Sequence, residues 1–265
     1  MKKTTTIHKE NSLIQSKNTN HLSTHSIKTL DNLYFNLQKY LNTQKKDTNR
    51  SKQIESKYIT DKKLFTMAVK QTTIKEWLSL EDNKNYAKVI RDTLFELSQP
   101  IQIKNYIDTD GILKTWGIKS FIKDTSEFLS KEDNKSKVYQ ITIDEFLFKV
   151  IFELKKNFTE IELEYQKNWK SVNTIRLYQY LKSIQSLNQK PIHDLKWFNE
   201  YFAPKTELKY LSKCQEILKR NITIINKDTD LRVILVANKK EKTFIFNIQN
   251  KKITIKNIGK IVKKF

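Results

Sequence analysis

The sequence predicts an α+β fold of two tandem units, each a pair of helices followed by a β-hairpin. Three observations predict it. The order helix, break, helix, hairpin occurs twice along 265 residues. In each copy the second helix separates a basic face from an apolar one. And 50 Lys+Arg stand against 29 Asp+Glu, a formal net charge of +21 that attracts polyanions. Paired helices with a hairpin is the winged-helix order, and a chain of this length holds two domains of ordinary size.

In chain order, residues 1–27 are polar and read as a disordered tail. Residues 28–41 carry Leu30, Leu33, Leu37, Tyr40 and Leu41 at helical spacing, a core helix or a short zipper. Residues 42–57 read as a linker, and a helix is expected over 61–69. Ile74, Trp77 and Leu78 share one side of a helix over 73–80, and a break at Glu81-Asp82-Asn83 leads to a second helix that Pro100 stops. Strands follow over 101–107 and 112–122, with a turn at 108–111, and another over 138–143 after a polar stretch. A helix over 144–154 closes this first unit, residues 28–156.

The second unit, residues 157–250, repeats the order. A helix over 171–184 has Ile175, Leu177, Tyr178 and Leu181 as its apolar face. Pro191 opens a helix with Leu195, Trp197 and Phe198, and Pro204 breaks it. A long helix is expected over 205–221, then strands over 231–237 and 243–248 joined by a tip that carries Lys239 and Lys240. Residues 251–265 form a basic tail.

With about 100° per residue, Lys209, Lys213, Glu216 and Arg220 fall within about 80° of Lys205, opposite Leu208, Leu211, Cys214, Leu218 and Ile222. In the first unit Lys88, Arg91 and Phe95 fall within about 40° of Lys84, away from Tyr86, Val89, Ile90, Leu94 and Leu97. An exposed face on an amphipathic helix is commonly just solvated, and AT-rich coding accounts for part of the lysine excess. The five arginines escape that explanation. Two of them, Arg91 and Arg220, lie on these faces, and guanidinium suits guanine edges and phosphates. The repetition, with a hairpin after each helix, points to duplex DNA. The expected contacts are Lys205, Lys209, Lys213, Arg220, Lys239 and Lys240 in the second unit and Lys84, Lys88 and Arg91 in the first.

Other chemistries find few residues. Three glycines, Gly111, Gly117 and Gly259, cannot assemble a Walker A loop or a dinucleotide-binding trio. His8, His21 and His25 lie in the polar tail, and His193 beside Pro191 is expected at the surface or capping a helix. No Cys/His cluster has zinc spacing, so no metal or cofactor is expected. Asp108 and Asp110 beside Gly111 read as a turn, and no acid/base pair emerges, so no catalysis is expected. Cys214 is the single cysteine and is expected as a buried thiol. The N-terminus lacks a secretory apolar run and no segment approaches the ~20 apolar residues of a membrane span, so the cytoplasm is expected.

Asn157-Phe158-Thr159, then Ser171-x-x-x-Ile175-Arg176-Leu177-Tyr178-x-x-Leu181, then Ile225-Asn226-x-x-Thr229-Asp230-Leu231-x-Val233 and Phe244-x-Phe246-x-Ile248, make up a specific combination. It resembles the iteron-binding plasmid replication initiators. The helix from Asn85-Tyr86 to Leu97 and Trp116 are similar to that family's first domain, so the resemblance covers about residues 58–250, mostly in the second half. Gln179 and Tyr180 depart from the family's Glu-Leu after Arg-Leu-Tyr, and Leu211 and Cys214 stand where more aromatic, basic character is usual. The resemblance implies two winged helices binding direct repeats at an origin as monomers. It also implies dimers repressing their own promoter, and recruitment of a host initiator and helicase. Arg176 then either contacts a phosphate or pairs internally with a carboxylate. A winged-helix regulator without an origin role, a relaxase or nuclease using one of the 11 tyrosines, and a basic membrane-surface protein are the alternatives.

Overall fold

The computed structural model describes residues 5–15, 21–45, 66–107, 113–152, 158–186, 190–202, 204, 206–238 and 240–251. Its first surprise is at the N-terminus. Residues 6–27, expected as part of a disordered tail, contain strand β1 (Thr6–Glu10), helix α1 (Asn11–Gln15) and the start of α2 (Thr24–Lys45). β1 pairs antiparallel with β7 (Phe158–Glu162), placing Ile7 opposite Ile161, both fully buried. The segment is polar by composition, but two inward residues of a five-residue strand suffice when a partner strand is supplied from 150 positions away.

α2 is the axis of the molecule. Ile27, Leu30, Leu33, Tyr34 and Leu37 form its buried stripe. It packs against β1, α3 (Gln71–Trp77), α4 (Tyr86–Ser98), α5 (Glu145–Phe152), α6 (Leu163–Gln166) and α7 (Val172–Ser186), so it touches both halves of the chain.

The two halves share a topology. In the first, β2 (Thr66–Lys70), α3 and α4 are followed by β5 (Ile122–Leu129) and β6 (Lys137–Ile143), in a sheet of order β2-β6-β5. In the second, β8 (His193–Asp194), α8 (Leu195–Phe202) and α9 (Leu211–Asp228) are followed by β9 (Leu231–Asn238) and β10 (Thr243–Asn250), in a sheet of order β8-β10-β9. In both, the short strand before the helix pair joins the last strand of the hairpin, which is winged-helix topology. The first half differs by an inserted hairpin of β3 (Ile101–Ile107) and β4 (Leu113–Lys119).

Two further expectations give way. The helix expected over 61–69 is replaced by β2 over its last residues, 61–65 lying outside the described part; Val69 faces inward and its neighbours Ala68 and Lys70 do not follow it, a period of two. The strand expected over 112–122 ends at Lys119, and β5 continues to Leu129 through Lys123, Asp124 and Glu127. That strand lies at a sheet edge with most side chains in solvent, so it carries no apolar alternation to detect.

The turn between α3 and α4 takes Ser79 to φ 52°, where glycine is usual. The Leu80 amide reaching back to the Lys75 carbonyl at 3.0 Å closes α3. At the second hairpin, the Asn238 side chain accepts the Lys240 amide at 3.1 Å and shapes the tip.

Candidate nucleic-acid interface

The helix expected to begin at residue 205 begins at Leu211. The cause is a clamp. The Asn199 carboxamide donates to the Leu208 carbonyl at 3.0 Å and accepts the Leu208 amide at 2.9 Å, which holds the approach to α9 extended. Lys209 is therefore exposed but outside the helical row, and Lys205 lies outside the described residues. At the other end the helix runs past residue 221 to Asp228. Ile222 and Ile225 extend the buried stripe, and Asn221 is held inside by the Thr174 hydroxyl at 2.6 Å. Packing overrides the weak helix propensity of Thr223 and Asn226.

Rephased this way, α9 still divides cleanly. Ser212, Lys213, Glu216, Lys219, Arg220, Thr223 and Lys227 are exposed within an arc of about 120°. Cys214, Leu218, Ile222 and Ile225 are buried opposite. Lys227 lies beyond the expected end of the helix, and Lys219, inside the expected helix about 40° from Lys205 on the side away from Lys209, was left out of the basic row. Tyr210, large and exposed at the N-cap of α9, was missed as well. Glu216 bridges Lys213 at 2.8 Å and Arg220 at 2.9 Å. The hydrogen bond from Lys213, with help from Arg220, holds the Glu216 carboxyl below the usual range.

α4 presents Lys88, Arg91, Asp92 and Phe95 to solvent. Arg91 lies 3.6 Å from Glu127 of β5, and Glu127 also takes Lys137 at 2.6 Å. Lys88 lies 3.8 Å from Asp92. Lys84 is exposed in the turn before the N-cap Asn85, so it precedes the helical row and does not belong to it. At the β9–β10 tip Lys240 is exposed, and Lys239 lies outside the described residues.

Arg176 is a correction. It is 4% exposed, with its guanidinium 4.8 Å from the Tyr201 ring centre, and burial lowers its pKa. A side chain enclosed by α1, α7 and α8 cannot reach a phosphate. Inside the protein its guanidinium stands against the face of Tyr201.

The segments that carried the resemblance turn out to build the scaffold. The Asn226 side chain donates to the Val233 carbonyl at 2.9 Å and accepts the Val233 amide at 2.7 Å, pinning α9 to β9. Thr229 stops α9 by donating to the Ile225 carbonyl at 2.8 Å and starts β9 by accepting the Leu231 amide at 3.1 Å. Tyr178 donates to Glu162, and Phe244 and Phe246 are core.

His193 is buried, not at the surface, and the capping role belongs to its neighbour: Asp194 accepts the Trp197 amide at 2.7 Å. The imidazole lies 4.0 Å from the Trp197 ring and shares a 3.0 Å hydrogen bond with the Tyr180 hydroxyl. Burial lowers its pKa from 6.5 to about 4. The unfolded chain therefore takes up this proton first. The stabilisation from a neutral His193 is complete above about pH 6.5 and is lost as pH falls toward about 4, a difference of roughly 3 kcal/mol. Urea unfolding at pH 7 and pH 4.5 should show the loss in the wild type and a smaller one in His193→Gln. Cys214 is buried as expected, its thiol pushed up to about 12 by desolvation. At pH 8 a thiol reagent should label it only at the rate of unfolding, and immediate labelling of the native chain would contradict its burial.

Among the described residues no group of three His, Cys, Asp or Glu could hold a metal ion, and no helix is long and apolar enough to cross a membrane. A family model described as "Initiator Replication protein, WH1" matches residues 6–182. That span takes in β1 and β7, the pair that binds the N-terminal strand to the rest, and ends within α7. A crystal structure of the Pi initiator protein in complex with iteron DNA is similar over 95% of this chain and 100% of that chain, with a TM-score of 0.59 and 14% identity. It shares the fold. A crystal structure of domains 2 and 3 of RctB is similar over 73% of this chain and 77% of that chain, at 14% identity and a TM-score of 0.43, too distant to constrain the fold. Comparison with curated protein sequences gives no match.

Proposed function

The chain belongs to the initiator replication protein family, and from that premise we propose that it starts plasmid replication by binding direct repeats at an origin through α4 and α9. The observation that carries this is the exposed row of α9, where Lys213, Lys219, Arg220 and Lys227 share one face, beside a hairpin with Lys240 at its tip. A helix of this kind lies in a major groove with lysines reaching phosphates and arginine reaching base edges. α4, with Lys88 and Arg91, enters a neighbouring groove. Lys84, Lys209, Lys205 and Lys239 are flanking phosphate contacts. The Pi initiator, whose fold is shared, is bound to iteron DNA in its crystal structure.

In this reading the protein acts without catalysis in the cytoplasm, binds origin repeats as a monomer, represses its own promoter as a dimer, and recruits a host initiator and helicase. Footprinting on the DNA upstream of the gene tests the two reading heads. Protection should span about two helical turns on one face. Protection of one turn alone would leave α4 without a role. A plasmid carrying only that upstream DNA should replicate when the protein is supplied in trans; failure there, with the footprint intact, would make the protein a regulator and not an initiator.

A further inference from the structure

A carboxylate in the middle of a surface built to meet phosphates requires a reason. Apart from Asp228 in its last turn, Glu216 is the only acidic residue of α9. It lies in the second turn from the N-terminus, the part of a recognition helix that reaches base edges. Its neighbours on the exposed face are Ser212, Lys213, Lys219, Arg220 and Thr223. Two of them hold it from opposite sides, Lys213 at 2.8 Å and Arg220 at 2.9 Å. It is half exposed, so its oxygens remain open to a ligand that approaches the helix.

Helix stabilisation is a weak reason for it. Exposed ion pairs at these spacings add little to the stability of a helix. Against that, a fixed negative charge repels every phosphate that the surrounding cations attract, whatever the sequence. A residue that lowers affinity for all DNA favours one sequence only if it gains a partner there. Two base edges offer a donor in the major groove, the amino groups of adenine and cytosine; adenine sets its N7 acceptor beside the amino group, where it repels a carboxylate, so a lone carboxylate suits cytosine. Lys213 and Arg220 fix the carboxylate in position beforehand, and the carboxylate in turn keeps both cations from random phosphates.

We infer that Glu216 is a specificity-determining residue that accepts a hydrogen bond from a cytosine N4 amino group in the major groove and disfavours other bases there. The inference rests on the interface reading above and names what one position of that interface reads. Base selectivity should therefore change on its removal in a way that removal of a merely structural glutamate would not produce.

The test is selection from a pool of random duplexes by the full-length chain and by Glu216→Ala, each at the same salt. Alanine is a strong helix former at an exposed site, so the variant keeps α9. The wild-type consensus should contain a cytosine whose preference falls about tenfold in Glu216→Ala, while the rest of the consensus is retained. The same consensus from both proteins, cytosines included, would overturn the assignment of Glu216 and leave the interface standing. A wild-type pool without any consensus would overturn the interface reading and this inference with it.

Discussion

Replacing Lys213 and Arg220 together with alanine should weaken binding to origin duplex by about a hundredfold, the effect of losing one base-edge arginine and one phosphate lysine. The loss has two parts. Losing the phosphate lysine removes one release of counterions, so the slope of log affinity against log salt should become shallower by about one. In addition Glu216, no longer held by its partners, would face the phosphates uncompensated. Both residues are exposed, and changes at such positions shift stability by no more than about 0.5 kcal/mol, so an unfolding curve separates lost binding from lost fold. Lys88→Ala/Arg91→Ala in α4 should add its own loss independently, since distant sites combine additively. Unchanged duplex affinity in the α9 double variant, measured by anisotropy across a salt series, would remove α9 from the interface.

What could be read in the sequence followed the periodicities. The buried stripe of α2 and the helix pair α3–α4 are spaced at 3.6, and the β9–β10 hairpin alternates around a polar tip. All three are where the spacing puts them. The misplacements share a cause: strand pairing and side-chain hydrogen bonds, which the spacing of apolar residues does not register. β1 exists because β7 pairs with it, and α9 starts late because Asn199 holds Leu208. That late start is why Lys205 and Lys209 are expected in the helical row and Lys209 lies outside it. Arg176 reads as a candidate contact because arginine is rare in this chain, but its destination depends on Tyr201, 25 positions away. The segments behind the family resemblance were legible for another reason. Asn226, Thr229 and Tyr178 make scaffold hydrogen bonds that the fold requires whatever DNA is read. A motif of that kind identifies the architecture and says nothing of which bases are contacted.

The largest stability change should come from a residue far from that surface. Asp31 of α2 is fully buried and accepts three hydrogen bonds: Lys9 of β1 at 2.7 Å, Gln179 of α7 at 2.7 Å and Gln166 of α6 at 3.0 Å. Gln179 also accepts from Lys9 at 3.0 Å and donates to Gln166 at 3.1 Å, so the group closes on itself. These residues come from the N-terminal strand, the central helix and two helices of the second half, and together they tie the halves at one point. Asp31→Ala would leave a lysine and two amides buried without their acceptor, at a cost of about 3–5 kcal/mol. Set against a typical domain stability of about 5–15 kcal/mol, that loss should be plain in a urea titration. Lys9→Met should be similarly costly, because it strands the carboxylate. Lys9→Met/Asp31→Ala removes the stranded charge as well, and should therefore cost little more than either change alone. If the double variant instead shows the sum of the two single losses, the residues act independently and the group is not the tie between β1, α2 and α7.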